Sequence, residues 1–195
     1  MTRSANVERT TRETRIEVAC DLDAPAEAVV STGIPFFDHM LDAFGRHGLM
    51  TLRVEAVGDL EVDAHHTVED VGICLGSAVA DALGDKAGIR RYGSAVVPMD
   101  EALVLAAIDV SGRGGLVYDV ELPIEFIGTF ETSLAREFMA AFAQNARMTV
   151  HVRKLAGENA HHIVEAAFKA LARALADAVA IDGRVSGVPS TKGAL

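Results

Sequence analysis

The chain has 195 residues, half of them hydrophobic, and a net charge of −10. That length suits one compact domain or two small ones built alike. The negative balance argues against a nucleic-acid binder, which needs a basic face, but leaves room for a local anion pocket of Arg and Lys.

No apolar run reaches the roughly 18–20 residues that span a bilayer, so no membrane association is expected. The opening stretch MTRSANVERTTRETRIEV lacks the apolar core of a signal peptide, and Glu8 and Glu13 count against a transit peptide. Cys20 and Cys74 are too few for a disulfide framework, and a cytoplasmic protein is the plain expectation. Alternation and β-branching predict strands at Thr14–Leu22 and Ala28–Thr32. PFFDHMLDAFGRHG (35–48) has helical spacing and leads into a strand, LMTLRVEAV (49–57). A long helix rich in Ala, Leu and Val follows over 66–83. Strands are expected next near Ser94–Val97, Ala102–Val110 and Leu116–Leu122, the last two flanking the Gly-rich turn SGRGG. TSLAREFMAAFAQNA (132–146) then gives a helix, RMTVHVRKL (147–155) a strand, and 162–180 a second long helix.

The chain repeats itself. DAHHTVED (63–70) returns as NAHHIVEA (159–166) at an offset of 96, and Met50 aligns with Met148 at an offset of 98. The first copy therefore carries two extra residues between strand and helix, GDLEVDA against AGENA. On the same register Phe44 meets Phe142 and His39 meets Glu137. An α+β fold of two similar halves follows, residues 1–93 and 94–195, with helices covering one face of each sheet. The two long helices are expected to pack on each other between the sheets.

Helical residues advance about 100° each. With His65 at zero, Glu69 lies near 40° and His66 near 100°, while Val68, Val71, Leu75 and Val79 form a separate core stripe near 290°. The same holds for His161, His162 and Glu165, so each half aims two imidazoles and a carboxylate from one helix start. Asp63 and Asn159 are good capping residues just ahead of them. Structural histidines are the bland alternative, but imidazolium pairs are opposed by the helix macrodipole, and HHxxE occurs twice. Metal binding is the better reading. Imidazoles and carboxylates without thiolates suit Mn, Fe, Zn, Ni or Co in octahedral sites. Adjacent histidines diverge by about 100°, so His65 and His66 need not serve the same ion.

The motifs RTTRET (9–14), FFDHML (36–41), HHTVED (65–70), ENAHHIVEAAFKA (158–170) and GVPSTKG (187–193) together resemble the imidazoleglycerol-phosphate dehydratase family over nearly the whole chain. That resemblance implies a hydro-lyase of histidine biosynthesis converting imidazole glycerol phosphate to imidazole acetol phosphate. It implies a duplicated fold of ribosomal-protein-S5-domain-2-like halves, with four helices sandwiched between two mixed β-sheets. It also implies Mn2+, two ions per active site, and a 24-subunit homo-oligomer with active sites between subunits. The first metal set would be His65, Glu69 and His161, and the second His66, His162 and Glu165. His39 is a further ligand, and Glu137 stands where some members carry histidine. Glu13 matches an acid/base residue. Arg91, Arg113, Ser190, Thr191 and Lys192 match residues that hold the substrate, chiefly its phosphate, and His47 lies near the expected pocket. Without the resemblance, Arg113 reads as an exposed turn residue, Arg90 and Arg91 as a solvated pair, and His151 as a strand residue.

The implied chemistry has a specific difficulty, because the proton to be lost sits on a carbon with no carbonyl beside it. The imidazole ring must serve as the electron sink, which metal ions on its nitrogens make possible by Lewis acidity. Two rival classes are a dinuclear metal-dependent hydrolase and a metal-storage or assembly protein.

Overall fold

The computed structural model describes residues 2–193 and 195. Three strands open the chain, β1 (Ser4–Thr10), β2 (Thr14–Asp21) and β3 (Glu27–Ser31), followed by α1 (Pro35–His47), β4 (Thr51–Gly58) and α2 (His65–Leu83). The second half runs β5 (Tyr92–Met99), β6 (Ala102–Asp109), β7 (Gly115–Asp119), β8 (Phe126–Ile127), β9 (Phe130–Glu131), α3 (Leu134–Asn145), β10 (Thr149–Ala156) and α4 (Ala160–Val179). The expected helices and principal strands are present. β1 and the short β8–β9 hairpin were not foreseen, and β5 begins at Tyr92, ahead of the 93/94 boundary.

The two four-stranded sheets follow the same plan, in the orders β1-β2-β4-β3 and β5-β6-β10-β7. In each, three strands are antiparallel and the last pair, β3 with β4 or β7 with β10, is parallel. The parallel pair requires a crossover, which α1 supplies in one sheet and α3 in the other. The turns after these helices also agree. Leu49 and Arg147, at equivalent positions, both take φ +54°, and the Met that follows each donates its N–H back into the helix. Each sheet buries one face by alternation. Ile16, Val18 and Cys20 of β2 and Val104, Ala106 and Ile108 of β6 point inward at the helices.

The helices do not pair as the sequence suggested. The two long helices are not the principal partners: α2 lies chiefly against α3, and α4 against α1. Each long helix thus covers its own sheet and packs on the short helix of the other half. Composition explains the correction. α2 presents Gly72 and Gly76 to α3, where a Cβ would come within 2.7 Å of the Phe138 carbonyl oxygen and 2.6 Å of that of Phe142. Those glycines let the backbones approach. Between the halves, Phe37 and Phe44 of α1 meet Phe138 edge-on, Phe142 lies edge-on to Phe44, and Phe138 stacks on Phe168 of α4 at 5.1 Å. All five rings are fully buried.

Gly76→Ala should force α2 and α3 apart. Overpacking of this kind costs about 1–3 kcal/mol, more than the gain in helix propensity of roughly 1 kcal/mol. Thermal unfolding of the variant should therefore occur several degrees lower; an unchanged or raised midpoint would refute the close crossing.

Candidate active site

The histidine pairs sit where the helices begin. At α4, the Asn159 side chain accepts from the backbone N–H of His161 at 2.9 Å and of His162 at 3.5 Å. At α2, Asp63 accepts from the N–H of His65 at 2.7 Å, with Ala64 in the capping position itself. Both devices hold the first turn and leave the imidazoles outside the core. The ring planes of each pair stand steeply to one another, at 89° for His65 and His66 and 79° for His161 and His162.

The tightest grouping crosses the two halves. Nε2 of His161 lies 3.1 Å from Oε2 of Glu165, and Nε2 of His39 lies 3.5 Å from the same oxygen. These three side chains can offer ligand atoms that all lie within 4.8 Å of one another. His39 belongs to α1 and the other two to α4, so the cross-half packing assembles the trio. Phe36 closes on the edge of His161 at 5.1 Å. Glu165 is buried, and its other oxygen takes a 2.6 Å ion pair from Lys169, one helical turn on. Burial alone would raise the Glu165 carboxyl; the Lys169 ammonium and the nearby histidines outweigh it and hold the group below its ordinary range. Two imidazole nitrogens and one carboxylate oxygen form a donor set suited to a divalent transition metal, with Lys169 occupying the oxygen that faces away.

The implied ligand sets draw on further residues at the two helix starts. His161 and Glu165, assigned there to separate ions, are direct neighbours. His66 places Nδ1 3.0 Å from Asp59 and 3.9 Å from Glu13. His162 places Nδ1 2.7 Å from Glu101, and its Nε2 lies 3.5 Å from Asp100. Hydrogen bonding to Asp59 raises the His66 pKa, and bonding to Glu101 raises that of His162. The His162 contact, with the N–H groups of Asn159 and Glu158, draws Glu101 down to about 2. Glu69 is half-buried on α2, and Glu137 accepts from Arg136 at 2.9 Å. His65 borders a cavity of about 300 Å³ with Gly33, Leu60, Phe126 and Ser133.

The anion-binding candidates gather elsewhere. Arg91 forks onto Asp109 at 2.8 and 3.3 Å and donates to the Pro189 carbonyl at 2.9 Å, which ties the tail down. Its backbone sits at φ +74°, a left-handed conformation that L-residues adopt only where packing enforces it. Arg113 folds back on Ser111, just beyond β6. Ser190 turns the tail, its hydroxyl accepting from the N–H of Lys192 at 3.2 Å, while Thr191 and Lys192 are exposed. His47 is half-buried near Arg173, and burial first, then Lys169 and Arg173, lowers its pKa. His151 faces outward from β10.

Three residues escaped the sequence reading. Lys169 stood in plain view, one turn past Glu165. Glu101 occupies the place in its hairpin that Glu13 occupies in the first, immediately before the second strand. Asp59 lies in the longer of the two strand-to-helix connections.

These features define an α+β enzyme with an imidazole and carboxylate cluster at paired helix starts. Residues 32–175 match the family model for imidazoleglycerol-phosphate dehydratase. The chain is 59% identical, over the full length of both, to the imidazoleglycerol-phosphate dehydratase of Moorella thermoacetica. It is 60% identical to that of Symbiobacterium thermophilum, covering 99% of this chain and 93% of the relative. Among solved structures, the Staphylococcus aureus enzyme superposes with a TM-score of 0.83 at 37% identity, covering 92% of this chain and 99% of that one. The Pyrococcus furiosus structure gives 0.84 at 40%, covering 97% and 100%. The chain belongs to the imidazoleglycerol-phosphate dehydratase family and is a hydro-lyase of histidine biosynthesis.

Because Glu165 is held below its ordinary value of 4.5, its contribution to folding is complete above that value and fades as pH falls through the lowered one. Lys169→Met leaves the buried Glu165 carboxylate without its ammonium partner and should cost the metal-free protein about 3–5 kcal/mol near neutral pH. The gap between variant and parent should be widest near neutral pH and narrow in acid, as pH falls through the lowered value. Urea unfolding at both pH values checks this, and a gap that widened in acid would refute the pairing.

Proposed function

We propose that the enzyme dehydrates D-erythro-imidazole glycerol phosphate to imidazole acetol phosphate, using two Mn2+ ions per active site. The observation that carries this reading is the convergence of His39, His161 and Glu165, with a second histidine pair held at a matching helix start. His65, His66, Glu69, His162 and Glu137 would complete the ligand set. Bound manganese supplies Lewis acidity, lowering the N–H pKa of an azole so that the ring can accept electron density. The chain's own residues do the rest. Hydroxide leaves the carbon next to the ring and a proton leaves its neighbour, giving an enol that tautomerises to the ketone. Glu13, exposed beside His66, is suited to carry protons in both directions. Arg91, Arg113, Ser190, Thr191 and Lys192 would hold the phosphate, and with His47 fix the distance from ring to base.

The dimensions of the chain favour a site shared between subunits. The backbone N–H of Arg91 bonds the Ala178 carbonyl, at the far end of α4 from His162. At 1.5 Å per residue the two lie about 24 Å apart along the helix. The span of β6 from Ala102 to Asp109 gives about 23 Å by an independent ruler. A substrate whose ring and phosphate are joined by three carbons cannot bridge that distance. One chain's histidines must therefore work with another chain's Arg91 and tail, as a closed homo-oligomer of 24 subunits would arrange. We place the enzyme in the cytoplasm. Its cysteines are buried and unpaired, in keeping with a reducing compartment, and among the described residues no helix is long and apolar enough to cross a membrane.

Glu13→Gln should lower turnover of imidazole glycerol phosphate by about 100-fold or more with its binding largely retained. Comparable turnover would remove Glu13 from the chemistry. Elemental analysis should find about two manganese ions per chain, and His65→Ala combined with His162→Ala should strip them; full activity after exhaustive chelation would refute the metal requirement.

A further inference from the structure

The two halves treat their outward histidines alike but not with equivalent residues. Glu101 of the second half turns Oε2 onto Nδ1 of His162 at 2.7 Å, while its Oε1 accepts from the N–H groups of Asn159 at 2.8 Å and Glu158 at 3.3 Å. Its place in the fold is that of Glu13, directly before the second strand of the first hairpin of its sheet. Glu13 does not do this work. The His66 ring is held instead by Asp59, whose two oxygens lie 3.0 and 3.2 Å from Nδ1. The backbone N–H of Asp59 also donates to the Glu13 carbonyl at 3.1 Å.

Connection length explains the exchange. Between β10 and α4 stand three residues, 157–159, and between β4 and α2 stand six, 59–64. The longer connection has room for a carboxylate of its own at its first position. The shorter one has none on His162 and borrows the hairpin glutamate.

We propose that Asp59 and Glu101 are positioning residues that hold His66 and His162 by Nδ1, leaving each Nε2 bare for a metal ion, and that Asp59 thereby frees Glu13 for proton transfer. The inference rests on the metal reading above. A carboxylate on Nδ1 requires that nitrogen to carry the hydrogen, which puts the lone pair on Nε2. Asp100, 3.5 Å from Nε2 of His162, lies on the ligand side of the ring and cannot serve this purpose. Outer carboxylates of this kind are worth about 10- to 100-fold in metal affinity.

The two carboxylates differ in freedom, and this makes the test sharp. In Glu101→Gln the amide oxygen is kept by the two backbone donors, so the amide N–H faces Nδ1 and drives the ring hydrogen onto Nε2, the atom that must be bare. Asp59→Asn has no such anchor on its side chain and can turn its oxygen to Nδ1. Full-length protein freed of metal by chelation would be titrated calorimetrically with Mn2+, with thermal unfolding of each metal-free variant as a check on the fold. Glu101→Gln and Asp59→Ala should each weaken binding about 10- to 100-fold, and Asp59→Asn should lose clearly less. His66→Ala and His162→Ala serve as references. If these two lose metal while Glu101→Gln and Asp59→Ala bind as the parent does, the positioning role is overturned and the metal reading stands. If the histidine variants also bind as the parent does, the ligand assignment falls and this inference with it.

Discussion

The crossing of each long helix onto the short helix of the opposite half is the constraint on which the site depends. A helix start can present two imidazoles and a carboxylate, but it cannot close a coordination sphere alone. α1 brings His39 from the first half against His161 and Glu165 of the second. The aromatic column of Phe44, Phe138 and Phe168 fixes that approach from within the core. Packing that looks purely structural is therefore what sets the separation of these three side chains. A change that slid α1 along α4 by one turn, about 5.4 Å, would abolish the trio while leaving both sheets intact.

Charge is arranged with equal economy. The chain is acidic overall, yet cations lie midway along α4 and beyond its C-terminal end. Lys169 neutralises the buried Glu165 one turn along from it, and Arg91 meets the tail at the Pro189 carbonyl, beyond the far end of the helix. Arg91 is already forked onto Asp109, so its charge is half spent within the chain. It also fixes the tail by the Pro189 carbonyl. The left-handed backbone at Arg91 follows from its position, between a hydrogen bond to the Ala178 carbonyl and one from Val110.

Much of this was legible in the sequence. Alternation gave the principal strands, helical spacing gave the four helices, and the repeated HHxxE gave both the duplication and the residues aimed outward. What escaped has physical causes. β1, SANVERT, alternates weakly and lies at an edge, where pairing with β2 rather than its own burial holds it. The pairing of the long helices was misjudged because apolar content shows that a helix is buried without showing against what; Gly72 and Gly76 were the available clue. Lys169 was within reach of the i, i+4 rule. Asp59 and Glu101 were not, since their roles depend on a loop path and on a hairpin leaning toward a helix start.

The divergence between the halves shows what the fold must supply twice and what it can supply once. Each hairpin has to be tied to the helix start beneath it. In the first half the tie comes from the helix: buried Asp70 accepts from Arg9 of β1 at 2.9 Å and from Thr14 of β2 at 2.5 Å. Thr14 in turn meets Thr11, whose hydroxyl accepts from the N–H of Glu13. In the second half the position of Asp70 is Ala166, and the tie runs the other way, from Glu101 of the hairpin to the backbone of Glu158 and Asn159. With Asp70 tying the first hairpin, the Glu13 carboxylate stays exposed beside His66, whereas that of Glu101 is taken up by the helix start of its own half.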